Sequence, residues 1–83
     1  MKIGDVILLT DKWTRFSKRH RLIVTNTSPF QQTVEYLLDN EVLVRKKPIP
    51  RFCESAFSND IAVKMRNSSK AVTVIIERKE KAH

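Results

Sequence analysis

The sequence has 83 residues, with 16 Lys and Arg against 9 Asp and Glu, a net charge of +7, one Gly and one Cys. This length allows one domain with a small core, and a single glycine excludes the Gly-rich loops that hold nucleotide phosphates. One cysteine excludes a disulfide framework and a Cys-rich zinc site, and no apolar run approaches the roughly 18 residues of a membrane-spanning helix. We therefore expect a soluble, cytoplasmic, basic domain.

Two apolar segments near the N-terminus predict strands. IGDVILLT (residues 3–10) and RLIVTN (residues 21–26) are β-branched and almost continuously apolar. Strands have this composition when both of their faces are covered or when they curl into a small barrel. A polar and basic connection, residues 11–20, joins the two segments.

The middle of the chain supports two structures. Residues 33–47 predict a hairpin with a three-residue loop, 39–41, which puts the apolar side chains of both strands on one face and Glu35 opposite Arg45. A helix over residues 29–39 is the alternative, because a Ser-Pro pair suits its start and its apolar residues have helical spacing.

A proline-rich segment follows this region. Pro48-Ile49-Pro50 is expected to end the preceding strand, because proline removes a backbone donor from the sheet. Residues 51–57 then predict about two turns of helix. On that helix Cys53 is expected to be buried as a small apolar side chain.

The C-terminal segment has the clearest strand pattern. Apolar residues occupy every second position in residues 61–66 and 72–76, as they do in half-buried strands. A loop of residues 67–70 would join the two segments as a hairpin. The apolar side chains would then share one face, and Lys64 and Arg66 would lie on the other.

Together these elements predict a β-rich single domain over residues 1–83 with a frayed tail, 78–83. About five or six antiparallel strands with one short helix indicate a small SH3-like or OB-like barrel. An open α+β sheet with a helix at 29–39 is the alternative.

The connection between the first two strands contains the first of three basic clusters. Proteins bind nucleic acids with cationic side chains, which replace the counterions of the phosphates, and with aromatic rings, on which unpaired bases stack. This connection contains both kinds of side chain. The alternative is a solvated loop whose two rings fold back onto the core. The candidate nucleic-acid-binding residues here are Lys12, Trp13, Arg15, Phe16, Lys18, Arg19, His20 and Arg21.

Two further basic clusters follow. The second flanks the proline-rich segment, where Lys and Pro also serve to protect the edge of a sheet from pairing. The third lies on the outward face of the last predicted hairpin. Charged side chains on such a face are commonly just solvated, which is the alternative to a binding role. The candidate binding residues are Arg45, Lys46, Lys47 and Arg51 in the second cluster and Lys64 and Arg66 in the third.

This distribution of charge favours a non-enzymatic RNA-binding protein that holds the phosphate backbone through basic loops. A membrane is disfavoured because no long amphipathic helix with a cationic face is evident. DNA is less favoured than RNA because no recognition helix, zinc finger or basic zipper is present. The alternative is a protein-interaction inhibitor whose basic face docks on an acidic host protein.

The sequence shows no residue combination typical of catalysis. A histidine in a basic loop, such as His20, more often contacts phosphate than acts as a base. On the hairpin prediction Glu35 pairs with Arg45, and Asp39 and Glu41 lie in the turn, which leaves no carboxylate cluster. We therefore expect no enzymatic activity, no cofactor and no metal. A small metal-independent endoribonuclease is the second alternative.

The first quarter of the chain resembles a known family. GDVILL (residues 4–9), a basic loop and then RLIVTN (residues 21–26) are similar to the start of the MazF/PemK-type toxin endoribonucleases, which are SH3-like barrels that cleave RNA without metal. The glycines of the family's loop and its Arg-Pro pair are missing here. The resemblance implies a barrel and places Arg21 at the family's conserved arginine, with no second catalytic residue assigned.

In size and charge the chain also resembles small phage accessory proteins that bind RNA or inactivate a host nuclease. This resemblance rests on 83 residues and a net charge of +7 rather than on a motif. It implies a more specific form of the RNA-binding hypothesis, an antagonist of a host RNA-cleaving toxin.

Overall fold

The computed structural model describes residues 1–17, 19–39, 41–57 and 62–78. These residues form eight strands and no helix, so the described part of the chain contains no helix long and apolar enough to cross a membrane. The strands are β1 (Val6–Leu8), β2 (Thr14–Arg15), β3 (His20–Asn26), β4 (Gln32–Leu38), β5 (Arg45–Ile49), β6 (Glu54–Phe57), β7 (Ala62–Arg66) and β8 (Val72–Arg78).

The strands form two four-stranded antiparallel sheets. Sheet I has the order β1-β8-β3-β6, and sheet II has the order β2-β7-β4-β5. Both sheets are open, with β1 and β6 as the edges of sheet I and β2 and β5 as the edges of sheet II. The prediction of a small β-rich antiparallel fold is confirmed. The closed SH3-like or OB-like barrel is wrong, and so is the alternative with a helix at 29–39.

One apolar core lies between the two sheets. Successive side chains of a strand point to opposite faces, so alternate residues of the longer strands enter this core. The ring of Tyr36 in sheet II meets the ring of Phe57 in sheet I edge-on, with 5.2 Å between centroids. The buried residues of the core are Leu9, Phe16, Leu22, Val24, Val34, Ile49, Phe57, Met65, Val72, Val74 and Ile76.

The two C-terminal strands do not pair with each other. β7 lies between β2 and β4, whereas β8 lies between β1 and β3 in the other sheet. Met65 and Val72 are both buried, as their alternation predicts, but they approach the core from opposite sheets. The predicted hairpin is wrong because alternation determines which side chains point inward and not which strand is the neighbour. At its end β8 includes Arg78, paired with His20, and residues 79–83 of the predicted frayed tail lie outside the described residues.

β4 and β5 do form a hairpin, which confirms the strand prediction over the helix at 29–39. The register differs from the predicted one by a single residue, since Tyr36 pairs with Arg45 and Glu35 pairs with Lys46. The expected pairing of Glu35 with Arg45 is therefore wrong. The connection is also longer than three residues, and the apolar side chains just before β5 are exposed.

The segment after this hairpin is extended and not helical. β5 continues through Pro48, which an edge strand tolerates because one of its sides has no partner strand. The predicted helix over 51–57 is wrong: a turn at residues 51–52 leads into β6, which pairs with β3. Cys53 is exposed, so its predicted burial is wrong too.

Two buried asparagines organise links by which the chain passes from one sheet to the other. Asn26 ends β3 and Asn67 follows β7, and their exposed fractions are 0% and 5%. In each case the side-chain oxygen accepts hydrogen bonds from the backbone N–H and the hydroxyl of the serine two residues later, Ser28 or Ser69. This is an Asx turn, which satisfies polar groups at the point where the strand ends.

The amide nitrogen of Asn26 joins three further points of the chain. Its Nδ2 donates to the carbonyl oxygens of Phe30 at 2.7 Å, Ile49 at 3.0 Å and Pro50 at 3.2 Å. These carbonyls belong to the β3–β4 link and to the end of β5. Asn26 therefore ties the β3–β4 link to the end of β5 and to the turn that follows it.

Candidate nucleic-acid interface

Sheet II collects cations from all three basic clusters on its outer face. Directly paired residues of antiparallel strands point to the same side of a sheet. Arg15 pairs with Lys64, and Glu35 pairs with Arg66 on one side and Lys46 on the other. Met65, between Lys64 and Arg66, and Val34 and Phe16, next to Glu35 and Arg15, are buried in the core, so these five side chains point outward. We call the outer surface formed by Trp13, Arg15, Lys46, Lys64 and Arg66 the basic face.

Arg15 and Lys64 are neighbours at one end of this face. They are opposite each other on β2 and β7, with Arg15 exposed and Lys64 half-buried. Like charges directly opposite on adjacent strands destabilise the pairing. In the part of the chain that the structure describes, neither side chain forms an ion pair. Their positive charge is therefore available to an anionic partner.

Trp13, Arg66 and Glu35 form a stacked group next to this pair. The Cζ of Arg66 lies 4.3 Å from the centroid of the Trp13 ring, which is a cation–π contact. Arg66 also donates from Nη2 at 2.7 Å and from Nε at 3.1 Å to Oε2 of Glu35. These bonds fix the guanidinium. They also neutralise part of its charge, so Arg66 contributes less to the positive potential than Arg15.

The remaining residues of the first cluster do not join one surface. Phe16 is 3% exposed in the core, so its ring is not free to stack on a base, and the alternative of an inward-folded ring applies to it. His20 and Arg21 begin β3 in sheet I, where Arg21 lies opposite Glu77. Lys12 and Arg19 are exposed on either side of β2, and Lys18 lies outside the described residues.

The second cluster is divided between surfaces. Lys46 is exposed on the basic face, whereas the Nζ of Lys47 lies 4.9 Å from the centroid of the Phe57 ring on the inner side of β5. The Nε of Arg45 is 3.4 Å from a carboxylate oxygen of Glu41. Arg51 is exposed in the turn before β6. Only Lys46 of this cluster therefore belongs to the basic face.

The sequence did not identify Glu35 as part of the interface. The sequence predicts Arg45 as the partner of Glu35, whereas its partner in the structure is Arg66 of β7. No local signal reveals this contact, because β7 is distant in sequence and its place beside β4 depends on the order of strands in sheet II. Among the described residues, no group of three or more His, Cys, Asp or Glu is placed to hold a metal ion.

Comparison of the chain with protein-family models, curated proteins and solved structures finds no match. The resemblance to the MazF/PemK-type enzymes therefore stays a prediction.

Proposed function

We propose that the protein binds RNA, without catalysing a reaction, through the basic face of sheet II. The observation that carries this proposal is the convergence on one surface of cations from three separate parts of the sequence, beside an aromatic ring. A polyanion replaces its counterions with such cations on binding. RNA is favoured over DNA because the major groove of B-DNA receives a helix or a two-stranded ribbon. A flat sheet with an aromatic ring is better suited to the unpaired bases of single-stranded or irregular RNA.

The opposite surface of the molecule supports the same proposal by contrast. On the outer face of sheet I, Arg21 lies opposite Glu77, and the next row consists of the apolar side chains of Val6, Ile75 and Ile23. Of the two outer faces, that of sheet II therefore carries the excess of positive charge. Solubility alone does not require such an asymmetry, whereas a polyanionic partner does.

A more specific form of the proposal is an antagonist of a host RNA-cleaving toxin, encoded by a phage and acting in the cytoplasm. A protein that covers the phosphates of an RNA withholds that RNA from a nuclease. The support for this form is the small size of the chain and its net charge of +7.

Salt dependence tests the proposal directly. If about four phosphates of a single strand are contacted, log K is expected to fall against log salt concentration with a slope of about −2.8. Fluorescence anisotropy of a labelled single-stranded RNA over a series of KCl concentrations measures this slope. A slope near zero would contradict the proposal. A partner retained from a lysate after nuclease treatment would favour the alternative, an inhibitor docked on an acidic host protein.

Glu35→Gln is expected to tighten RNA binding about threefold to tenfold, because it removes the negative charge that pairs with Arg66 on the basic face. The glutamine oxygen still accepts a hydrogen bond from Arg66, so the contact with Trp13 is preserved. The matched control is Glu77→Gln, the same charge change on the outer face of sheet I. An affinity of Glu35→Gln no higher than that of the control would count against the basic face.

A further inference from the structure

Two phenylalanine rings are exposed just beyond one end of the β4–β5 hairpin. Phe30 precedes β4 and is 72% exposed, and Phe52 follows β5 and is 68% exposed. The chain has four phenylalanines, and the other two, Phe16 and Phe57, lie in the core. A small domain has few large apolar residues for its core, so two rings left in water indicate a binding surface.

Hydrogen bonds hold the two ring-bearing segments together. The carbonyl oxygens of Phe30 and Pro50 converge on one atom, Nδ2 of Asn26, at 2.7 and 3.2 Å. The backbone N–H of Phe52 donates to the carbonyl oxygen of Ser28 at 3.2 Å. The backbones beneath both rings are therefore fixed relative to each other before any ligand arrives. Such preorganisation lowers the entropic cost of binding.

Phe52 has a backbone conformation that a bulky side chain rarely adopts. Its φ is +53°. The N–H of Cys53 donates to the carbonyl oxygen of Pro50 at 3.1 Å, so residues 50–53 form a β-turn, and Phe52 occupies the third position, where a positive φ favours Gly or Asn. Because the ring is exposed, its burial does not offset the strain. Strained residues of this kind cluster at binding sites.

One cation is adjacent to Phe52 in the chain, and another lies further along β5. Arg51 is exposed in the same turn as Phe52. Lys46, three residues before Ile49 ends β5, belongs to the basic face of sheet II. An exposed ring next to cations is the arrangement with which proteins hold single-stranded nucleic acid, since the ring stacks on a base and the cations contact phosphates.

We propose that Phe30 and Phe52 stack on two unpaired bases of an RNA whose backbone continues onto the basic face. This inference rests on the proposed function and specifies its ligand class, single-stranded RNA or the unpaired part of a folded RNA. Arg51 contacts the phosphate that precedes or follows the stacked bases. A duplex does not use this site, because its bases are already stacked on one another.

The test uses the variants Phe52→Gly and Phe30→Leu with a short single-stranded RNA that carries 2-aminopurine, whose fluorescence falls on stacking. Each variant is expected to weaken binding of the single strand about tenfold, which corresponds to about 1.4 kcal/mol, and to reduce the fluorescence change. Affinity for a duplex RNA of equal length is expected to stay the same. Glycine suits the positive φ of Phe52, so Phe52→Gly is expected to melt at or above the wild-type temperature.

The matched control is Leu43→Gly, which removes another exposed apolar side chain, 66% exposed, from the loop at the far end of the β4–β5 hairpin. If Phe52→Gly and Phe30→Leu bind the single strand as tightly as Leu43→Gly does, the inference is overturned. Salt-dependent binding to the basic face would still stand in that case. An equal loss of duplex binding would overturn the inference too, because stacking does not account for that loss. If the wild type shows no salt-dependent RNA binding, the proposed function itself fails.

Discussion

Asn26→Leu is expected to lower the free energy of unfolding by about 3–5 kcal/mol, because it removes all five hydrogen bonds of a fully buried side chain. The side chain is 0% exposed. It accepts from the N–H and hydroxyl of Ser28 and donates to the carbonyl oxygens of Phe30, Ile49 and Pro50. A small domain has a total stability of about 5–15 kcal/mol, so this loss is a large share of it. Chemical denaturation measures the change.

The control for this variant is Gln31→Leu, which replaces a neighbouring exposed amide. A surface substitution of that kind is expected to change the free energy of unfolding by less than about 0.5 kcal/mol. An effect of Asn26→Leu no larger than that of Gln31→Leu would contradict the role assigned to Asn26.

A second variant at the same position, Asn26→Asp, separates hydrogen bonding from volume. It places a fully buried carboxyl group with one oxygen against three carbonyl oxygens, and burial and this repulsion raise the pKa of that carboxyl above its value in the unfolded chain, against the opposing effect of the two hydrogen bonds from Ser28. The variant is therefore least stable at pH values above the raised pKa. The part of its deficit that depends on pH shrinks as the pH falls through the folded-state pKa and disappears below the unfolded-state pKa. A constant part stays, because a protonated carboxyl has one donor where the amide has two. Denaturation at pH 7 and at pH 4 distinguishes this from a loss that does not depend on pH.

The sequence predicts which residues are buried better than it predicts which strands are neighbours. The alternation in the last strand correctly places Val72, Val74 and Ile76 in the core, and Met65 is buried as expected. The same alternation is compatible with a hairpin or with two strands in different sheets, because side-chain period does not depend on the partner. The Asx turn at Asn67 takes the chain across the core between these strands.

The segment after β5 shows how a distant contact overrides a local pattern. Residues 51–57 have apolar spacing that fits a short helix, yet Glu54–Phe57 is a strand paired with β3. The N–H of Asn26 donates to the carbonyl oxygen of Cys53 at 2.9 Å, and this bond and the β3 ladder hold the segment extended. A pattern of seven residues contains no information about β3, so tertiary contact decided the outcome.

The basic clusters could be predicted from the sequence, but their convergence could not. Trp13 and Phe16 belong to one loop, and the sequence does not distinguish them; the structure puts Phe16 in the core and Trp13 against Arg66. Lys46 reaches the basic face because β5 is one residue out of the predicted register, which reverses the face of each of its residues relative to β4. Strand order and register are therefore what turn three separate clusters into one surface.

The double variant Arg15→Glu and Lys64→Glu is expected to weaken RNA binding about 100-fold at moderate salt, because it puts two negative charges where two unpaired cations meet on the basic face. The control is the double variant Lys2→Glu and Arg78→Glu, which has the same charge change at exposed positions outside sheet II. Fluorescence anisotropy with one labelled single-stranded RNA compares the two. An equal loss of affinity in both would mean that RNA responds to net charge alone.

The single variant Lys64→Glu distinguishes a binding role from a structural one by the sign of two effects. Arg15 and Lys64 are opposite each other on β2 and β7, so the substitution replaces a like-charge pair by an opposite-charge pair and is expected to stabilise the fold by about 0.2–1 kcal/mol. The same substitution is expected to weaken RNA binding about tenfold. A side chain that serves the fold alone would not lose binding while stability rises. Measured together, a higher midpoint of denaturation and a weaker complex would therefore assign Lys64 to RNA binding and not to the stability of the sheet.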